Sequence, residues 1–117
     1  MIYPNRTLST KLVFDNFDLK KVKNIDPMYF NKIKIFNSLE YVSKSIEPEI
    51  EKVLNIFKSF KKIVAYGMSG SGSSCFGIFK NSQDFTNDKE FLRLKSKNNY
   101  FIWHGNKKEF GNNRFIY

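Results

Sequence analysis

The chain has 117 residues, 41% of them hydrophobic, and a formal net charge of +9. Its length suits one domain around one core. One cysteine and one histidine exclude an internal disulfide and leave too few ligands for a zinc or iron–sulfur site. No apolar segment approaches the length of a membrane-spanning helix, so we expect a single-domain protein of the reducing cytoplasm.

The positive charge raises the possibility of nucleic-acid binding, because clustered cations release counterions from phosphate backbones. Here 17 of the 20 cations are lysines spread along the chain, whereas phosphate and guanine recognition favours arginine. The positive charge is therefore better explained by a general bias in residue usage than by nucleic-acid binding. A basic α+β module that binds RNA stays open as an alternative, because residues 75–79 resemble an aromatic strand of an RNA-binding sheet.

The first part of the chain predicts a strand and a short helix. Ile2 and Tyr3 have the character of a strand end, closed by Pro4. Ser9 and Thr10 precede an apolar group and can cap a helix, since their hydroxyls accept hydrogen bonds from unpaired amides.

Two further helices are predicted between residues 26 and 61. Asp26 as cap and Pro27 at the first turn indicate a second helix, with its inward side chains at Tyr29, Phe30, Ile33 and Phe36. Pro48 begins a third helix, whose apolar residues Ile50, Val53, Leu54 and Phe57 recur at the spacing of one helical face.

The rest of the chain predicts strands at residues 63–66, 75–79 and 100–103, with a fourth helix capped by Ser82. This order indicates an α+β fold with a mostly antiparallel sheet of about four strands and helices packed on one face. We expect one domain over residues 1–104 and leave the polar tail, residues 105–117, unassigned.

Residues 68–74, Met-Ser-Gly-Ser-Gly-Ser-Ser, form a Gly/Ser loop between two predicted strands. Gly67 and Gly72 have the spacing of a Walker A loop, but Ser73 replaces its lysine. The dinucleotide fingerprint fails because Cys75 occupies the third glycine position, and no nucleophile elbow is present. The residue pattern leaves two readings open: a loop that contacts an anion through its amides, or a plain turn.

Several stretches together resemble a known family. Met68 to Gly72, followed by Cys75-Phe76, is similar to the C-terminal glycine-rich motif of the GHMP kinase superfamily, and within it to the 4-diphosphocytidyl-2-C-methyl-D-erythritol kinase family. Tyr3-Pro4 with Ser9-Thr10, and Asn37-Ser38-Leu39-Glu40, resemble other parts of that domain in the same order. The resemblance extends over residues 1–104, although Ser38 replaces the family's aspartate.

The resemblance implies a site and a reaction. The family phosphorylates the 2-hydroxyl of 4-diphosphocytidyl-2-C-methyl-D-erythritol, an isoprenoid precursor, using ATP and Mg²⁺. The resemblance implies that the loop lies beside the nucleotide and substrate, with the contacts made by Ser69, Gly70, Ser71, Gly72 and Ser73. It also places Ser9 and Thr10 on the substrate side, in addition to their capping role.

The family's catalytic residues and ATP-binding loop belong to an N-terminal domain, and nothing in this chain resembles them. We therefore expect no catalytic residue, no metal ligand and no tight binding of ATP here. Two hypotheses follow: the chain is a remnant that is inactive alone, or it is half of a split kinase completed by a separate N-terminal polypeptide. We also expect the first strand to be a shortened strand at the edge of the sheet.

Overall fold

The chain folds as an α+β domain in the computed structural model, which describes residues 1–18, 27–96 and 99–105. A four-stranded antiparallel sheet has helices on one face and a two-stranded hairpin on the other. The elements in chain order are β1 (Ile2–Tyr3), α1 (Thr10–Asp15), β2 (Met28–Phe30), β3 (Ile33–Ile35), α2 (Glu40–Ile46), α3 (Pro48–Ser59), β4 (Ala65–Met68), β5 (Cys75–Ile78), α4 (Ser82–Thr86), α5 (Lys89–Lys95) and β6 (Phe101–Ile102).

The strand order of the sheet is β4-β5-β1-β6, so β1 is an inner strand. Ile2 pairs with Cys75 of β5 on one side and with Ile102 of β6 on the other. The expectation that β1 lies at an edge is therefore wrong. The sequence shows that Ile2 and Tyr3 form a strand, but strand neighbours depend on residues far along the chain.

The predicted third helix is confirmed as α3, and it forms the centre of the core. Its buried residues are Ile50, Val53, Leu54 and Phe57, the four that the helical spacing selects. They pack with Ile2, Met68 and Cys75 on the helix-side face of the sheet. Because successive strand residues point to opposite faces, Ala65 and Phe76 face the other way.

The predicted second helix is wrong, because residues 28–35 form the β2–β3 hairpin instead. Phe30 pairs with Ile33, and the two residues between them, Asn31 and Lys32, have φ of 48° and 68°. Two consecutive positive φ values make the two-residue turn that joins antiparallel strands. The hairpin packs Ile35 against the sheet. Asp26, the residue predicted to cap the second helix, lies outside the described residues.

Other boundaries also differ from the predictions. Helix α2 is not predicted by the sequence pattern, and the predicted fourth helix is two short helices. Asn81, not Ser82, occupies the cap position of α4, whereas Asp88 caps α5 by accepting from the Glu90 amide at 3.0 Å. The predicted strand 63–66 lies two residues further on, at Ala65–Met68. Nearly all of the tail lies outside the described residues.

Candidate functional site

The Gly/Ser loop is the connection between β4 and β5, and a turn within it forms two of its own hydrogen bonds. The Ser69 amide donates to the Ser74 carbonyl at 2.8 Å, and the Gly72 amide donates to the Ser69 carbonyl at 3.0 Å. Gly70 and Gly72 have φ of 57° and 93°. These are backbone angles at which a side chain is strained, so glycine is favoured at both positions of the turn.

Gly72 also lies in close contact with the core. A β-carbon at this position would be 3.0 Å from Met68 Sδ and 3.2 Å from both Ile50 Cδ1 and Leu8 Cδ2. The loop is therefore packed against α3 on this side. Gly70, by contrast, is exposed, and a β-carbon there would have no heavy atom within 4 Å.

Helix α2 and the turn before it bind the loop from outside. Asn37 Nδ2 donates to the Met68 carbonyl at 2.8 Å and to the Gly70 carbonyl at 2.7 Å. Ser43 Oγ, which is fully buried, donates to the Ser71 carbonyl at 2.9 Å. Glu40 Oε1 accepts a hydrogen bond from the Met68 amide at 3.1 Å.

The structure brings one of the two predicted substrate-side residues to the loop. Thr10 Oγ1 lies 3.1 Å from Ser71 Oγ, and both residues are at least partly exposed. Ser9 is the N-cap of α1, since its Oγ accepts from the Leu12 amide at 3.2 Å. The capping prediction is confirmed for Ser9, and Thr10 is the first helical residue.

The five predicted loop residues differ in their surroundings. Gly70 is exposed, and Ser69, Ser71 and Gly72 are half-buried. Ser73 is only 3% exposed, and its hydroxyl donates to the Arg6 carbonyl. Its side chain therefore connects the loop to the segment after β1 and faces inward.

The polar groups of the loop are arranged asymmetrically. The carbonyls of Met68, Ser69, Gly70 and Ser71 all accept hydrogen bonds from within the protein. The amides of Gly70 and Ser71 donate to no other part of the chain that the structure describes. Amide donors without a partner in the described chain, next to carbonyls that are already bonded, suit an anion such as a phosphate group.

The described residues contain no preformed cluster of metal-ligating side chains. Within residues 1–18, 27–96 and 99–105, no group of three or more histidine, cysteine, aspartate or glutamate side chains comes together. Burial, with a smaller contribution from the nearby Glu40 carboxylate, raises the pKa of the Cys75 thiol to about 12. Cys75 is therefore a buried thiol without the character of a nucleophile.

A groove of about 880 Å³ lies at the opposite end of β4 and β5. It is lined mainly by apolar side chains from the β2–β3 hairpin, β5 and the end of β6, among them Tyr29, Phe30, Ile78, Phe79 and Trp103. None of the predicted site residues lies in it. The loop, which has the hydrogen-bonding chemistry, remains the candidate site.

The RNA-binding alternative needs aromatic side chains that bases can stack on. Phe76, the aromatic residue within β5, is 6% exposed and packs with Ile35 and Ala65 beneath the hairpin. Its ring is therefore covered.

Within the described ranges, no helix is both long and apolar enough to cross a membrane.

The local sequence pattern does not indicate three residues that shape the site: Asn37, Glu40 and Ser43. Asn37 and Glu40 lie in a stretch that resembles the family. Asn37 lies two residues before Leu39, the N-cap of α2, and its Oδ1 accepts from the Leu39 amide at 3.0 Å, the local bond that asparagine commonly makes in turns. Nothing in the local pattern indicates that its amide nitrogen reaches residues 31 and 33 positions away.

The chain is similar to a known protein family and to several curated proteins. The family profile described as "GHMP kinases C terminal" matches residues 19–98. The curated relatives are named 4-diphosphocytidyl-2-C-methyl-D-erythritol kinase. That of Ehrlichia canis (strain Jake) is 34% identical over 102 residues, covering 76% of this chain and 35% of the relative. That of Clostridium perfringens (strain SM101 / Type A) is 32% identical over 108 residues, covering 83% of this chain and 38% of the relative.

A third relative, from Prochlorococcus marinus (strain NATL2A), has the same name and is 35% identical over 72 residues, covering 56% of this chain and 23% of the relative. The chain thus spans between 23% and 38% of the length of these three relatives. No solved structure gives a significant match.

Proposed function

Because the chain belongs to the GHMP kinase family, matching its C-terminal domain, we propose that its Gly/Ser loop forms one wall of a kinase's nucleotide and substrate cleft. The proposed reaction is ATP-dependent phosphorylation of 4-diphosphocytidyl-2-C-methyl-D-erythritol, the substrate that the relatives' names give. The observation that supports a phosphate-contacting wall is the asymmetry of the loop, with carbonyls bonded inward and the Gly70 and Ser71 amides free of bonds to described residues. We place this activity in the cytoplasm.

In this proposal, the chain binds and orients but does not complete the reaction. Phosphoryl transfer requires an in-line arrangement of donor and acceptor, and positioned cations that stabilise the developing charge. ATP would supply the phosphoryl group and Mg²⁺ would neutralise its charge. The loop contributes amide donors, and Thr10 with Ser71 contributes hydroxyls next to them. The remaining groups come from a domain resembling the N-terminal part of the relatives.

Two arrangements satisfy this requirement: a domain joined to this chain or a separate polypeptide. Either would contact the surface around the loop, across an interface of about 600–1,500 Å² if it resembles ordinary inter-domain contacts. The 117-residue chain by itself is therefore expected to show no turnover.

A chimera tests the proposal. The matching C-terminal region of the Ehrlichia canis relative, 35% of its length, is replaced by this chain, and phosphorylation of 4-diphosphocytidyl-2-C-methyl-D-erythritol by ATP is measured. We expect turnover by the chimera and none by the chain alone. Gly70→Val should lower kcat/KM by about a hundredfold, since it strains the loop and disturbs its donors.

The matched control is Ser82→Ala in α4, whose side chain lies away from the loop. It should leave kcat/KM unchanged. A folded chimera in which Gly70→Val is as active as the unmodified protein would contradict a role for the loop. Turnover by the isolated chain, lost on substitution of Gly70, would contradict the need for a second domain.

A further inference from the structure

We propose that Asn37 is a positioning residue that orients the Ser71 amide toward a bound anion. The inference rests on the proposed function in one respect, that the anion is a phosphate group. It goes further because it assigns to a side chain outside the loop the role of keeping an amide, and not a carbonyl, turned toward the anion. Asn37 lies in the turn before α2, and in this assignment it acts through the backbone of the loop.

The geometry of the peptide bond gives the first step. In a planar trans peptide the carbonyl and the following amide point in opposite directions. The Gly70–Ser71 peptide is trans. Asn37 Nδ2 binds the Gly70 carbonyl at 2.7 Å. The Ser71 N–H is consequently directed away from Asn37 and α2.

The peptide that follows Gly70 needs a restraint because the loop is rich in glycine. Gly70 has φ of 57° and no neighbour that a β-carbon would meet within 4 Å. A glycine in open space has access to most backbone angles. Rotation of the peptide that follows it would exchange the amide for a carbonyl and present a partial negative charge to the anion. The hydrogen bond from Asn37 opposes that rotation.

Asn37 is itself fixed in place. Its Oδ1 accepts from the Leu39 amide at 3.0 Å, and its Nδ2 donates to the Met68 carbonyl at the end of β4 as well as to Gly70. One side chain thus joins the start of α2, the end of β4 and the loop. The buried Ser43 hydroxyl, also from α2, fixes the next carbonyl, that of Ser71.

The test is a titration of the purified chain with inorganic phosphate, followed by the amide resonances of Gly70 and Ser71. The variant is Asn37→Ser, which is neutral and retains an oxygen to accept from the Leu39 amide but is too short to reach both carbonyls. The control is Asn81→Ser at the start of α4, where the asparagine side chain makes no capping hydrogen bond.

The wild type and Asn81→Ser should show saturable shifts of both resonances. Asn37→Ser should bind phosphate about tenfold more weakly, with the Ser71 response most reduced. Its melting temperature should also fall, because two carbonyls lose their donor, so all proteins are titrated well below the melting transition of the least stable one. If Asn37→Ser does not fold, Asn37→Asp at high salt replaces it, because salt screens the added charge while the two donors are still lost.

The outcomes separate the two proposals. Equal phosphate affinity and equal Ser71 shifts in wild type and the Asn37 variant would overturn the role of Asn37 and leave the phosphate-contacting loop intact. No response of either resonance in the wild type would overturn the anion site itself, and with it the observation that supports the proposed function.

Discussion

Gly77 in β5 lies where a ring from helix α3 packs directly on the sheet. A β-carbon at this position would be 2.4 Å from Phe57 Cε1 and 2.6 Å from Cδ1 of the same ring. Phe57 is 2% exposed and lies in the core formed with Ile50 and Val53. The ring cannot move aside without displacing its neighbours, because protein interiors are close-packed.

We therefore predict that Gly77→Ala lowers the free energy of unfolding by about 2–3 kcal/mol, the usual cost of overpacking a core. Thermal and urea denaturation monitored by circular dichroism measure it. The matched control is Gly70→Ala, where no contact is created but a φ of 57° disfavours a side chain, at a cost of about 1 kcal/mol. Equal stability of the two variants would show that α3 can move away from β5.

At the scale of elements, a hydrogen bond joins the start of α3 to the residue before β6. The Tyr100 hydroxyl donates to Glu49 Oε1 at 2.6 Å, and Lys52 Nζ lies 3.3 Å from Glu49 Oε2. The hydrogen bond from Tyr100 is the main cause that lowers the pKa of the Glu49 carboxyl, with Lys52 and Arg6 contributing. The carboxylate therefore stabilises the folded chain.

The lowered pKa of Glu49 determines how the stability of the fold depends on pH. A carboxyl whose pKa is lower in the folded state stabilises it fully above the unfolded pKa, and the effect is lost as pH falls through the folded pKa. Tyr100→Phe should lower the free energy of unfolding by about 1 kcal/mol at pH 7, a modest value because solvent screens the pair. The difference from wild type should vanish at a pH below the folded-state pKa of Glu49.

Urea denaturation of both proteins between neutral and acidic pH measures this effect. The control is Tyr29→Phe, since Tyr29 is 60% exposed on the hairpin and loss of its hydroxyl should change the free energy of unfolding little. A Tyr100→Phe difference that is constant with pH would mean that the hydroxyl acts through packing and not through the carboxylate.

At the scale of the whole molecule, the two faces of the sheet carry cores of different size. Within the described residues, the helix-side core contains ten buried residues and the hairpin-side core three, Ile35, Ala65 and Phe76. A two-stranded hairpin is marginally stable by itself and depends on such packing. The hairpin should therefore open more readily than the β4–β5 pair.

Hydrogen exchange measured by mass spectrometry checks this expectation. We predict that amides in residues 28–35 exchange at least about tenfold faster than those of β4 and β5. Ile35→Ala, which removes the hairpin's buried anchor, should accelerate exchange in residues 28–35 further and leave β5 protected. Identical protection of the two regions would mean that the domain opens as one cooperative unit.

Local chemistry was predictable from the sequence where neighbours along the chain decide it. Helix α3 follows from the spacing of Ile50, Val53, Leu54 and Phe57, and the cap at Ser9 from one hydroxyl before an apolar turn. The glycines of the loop likewise indicated a turn with positive φ between two strands. Each of these features depends on contacts within a few residues.

The sequence by itself therefore determined the α+β class, the main helix, the loop and the resemblance to a family. Only the tertiary structure decided that β1 is an inner strand, that residues 28–35 form a hairpin and that Asn37 binds the Gly70 carbonyl. These features join residues that are distant in sequence, and a pattern of neighbouring side chains carries no information on such contacts. The hairpin shows the limit most clearly, because Tyr29, Phe30, Ile33 and Phe36 satisfy a helical spacing, yet the turn at Asn31 and the packing of Ile35 on the sheet favour strands.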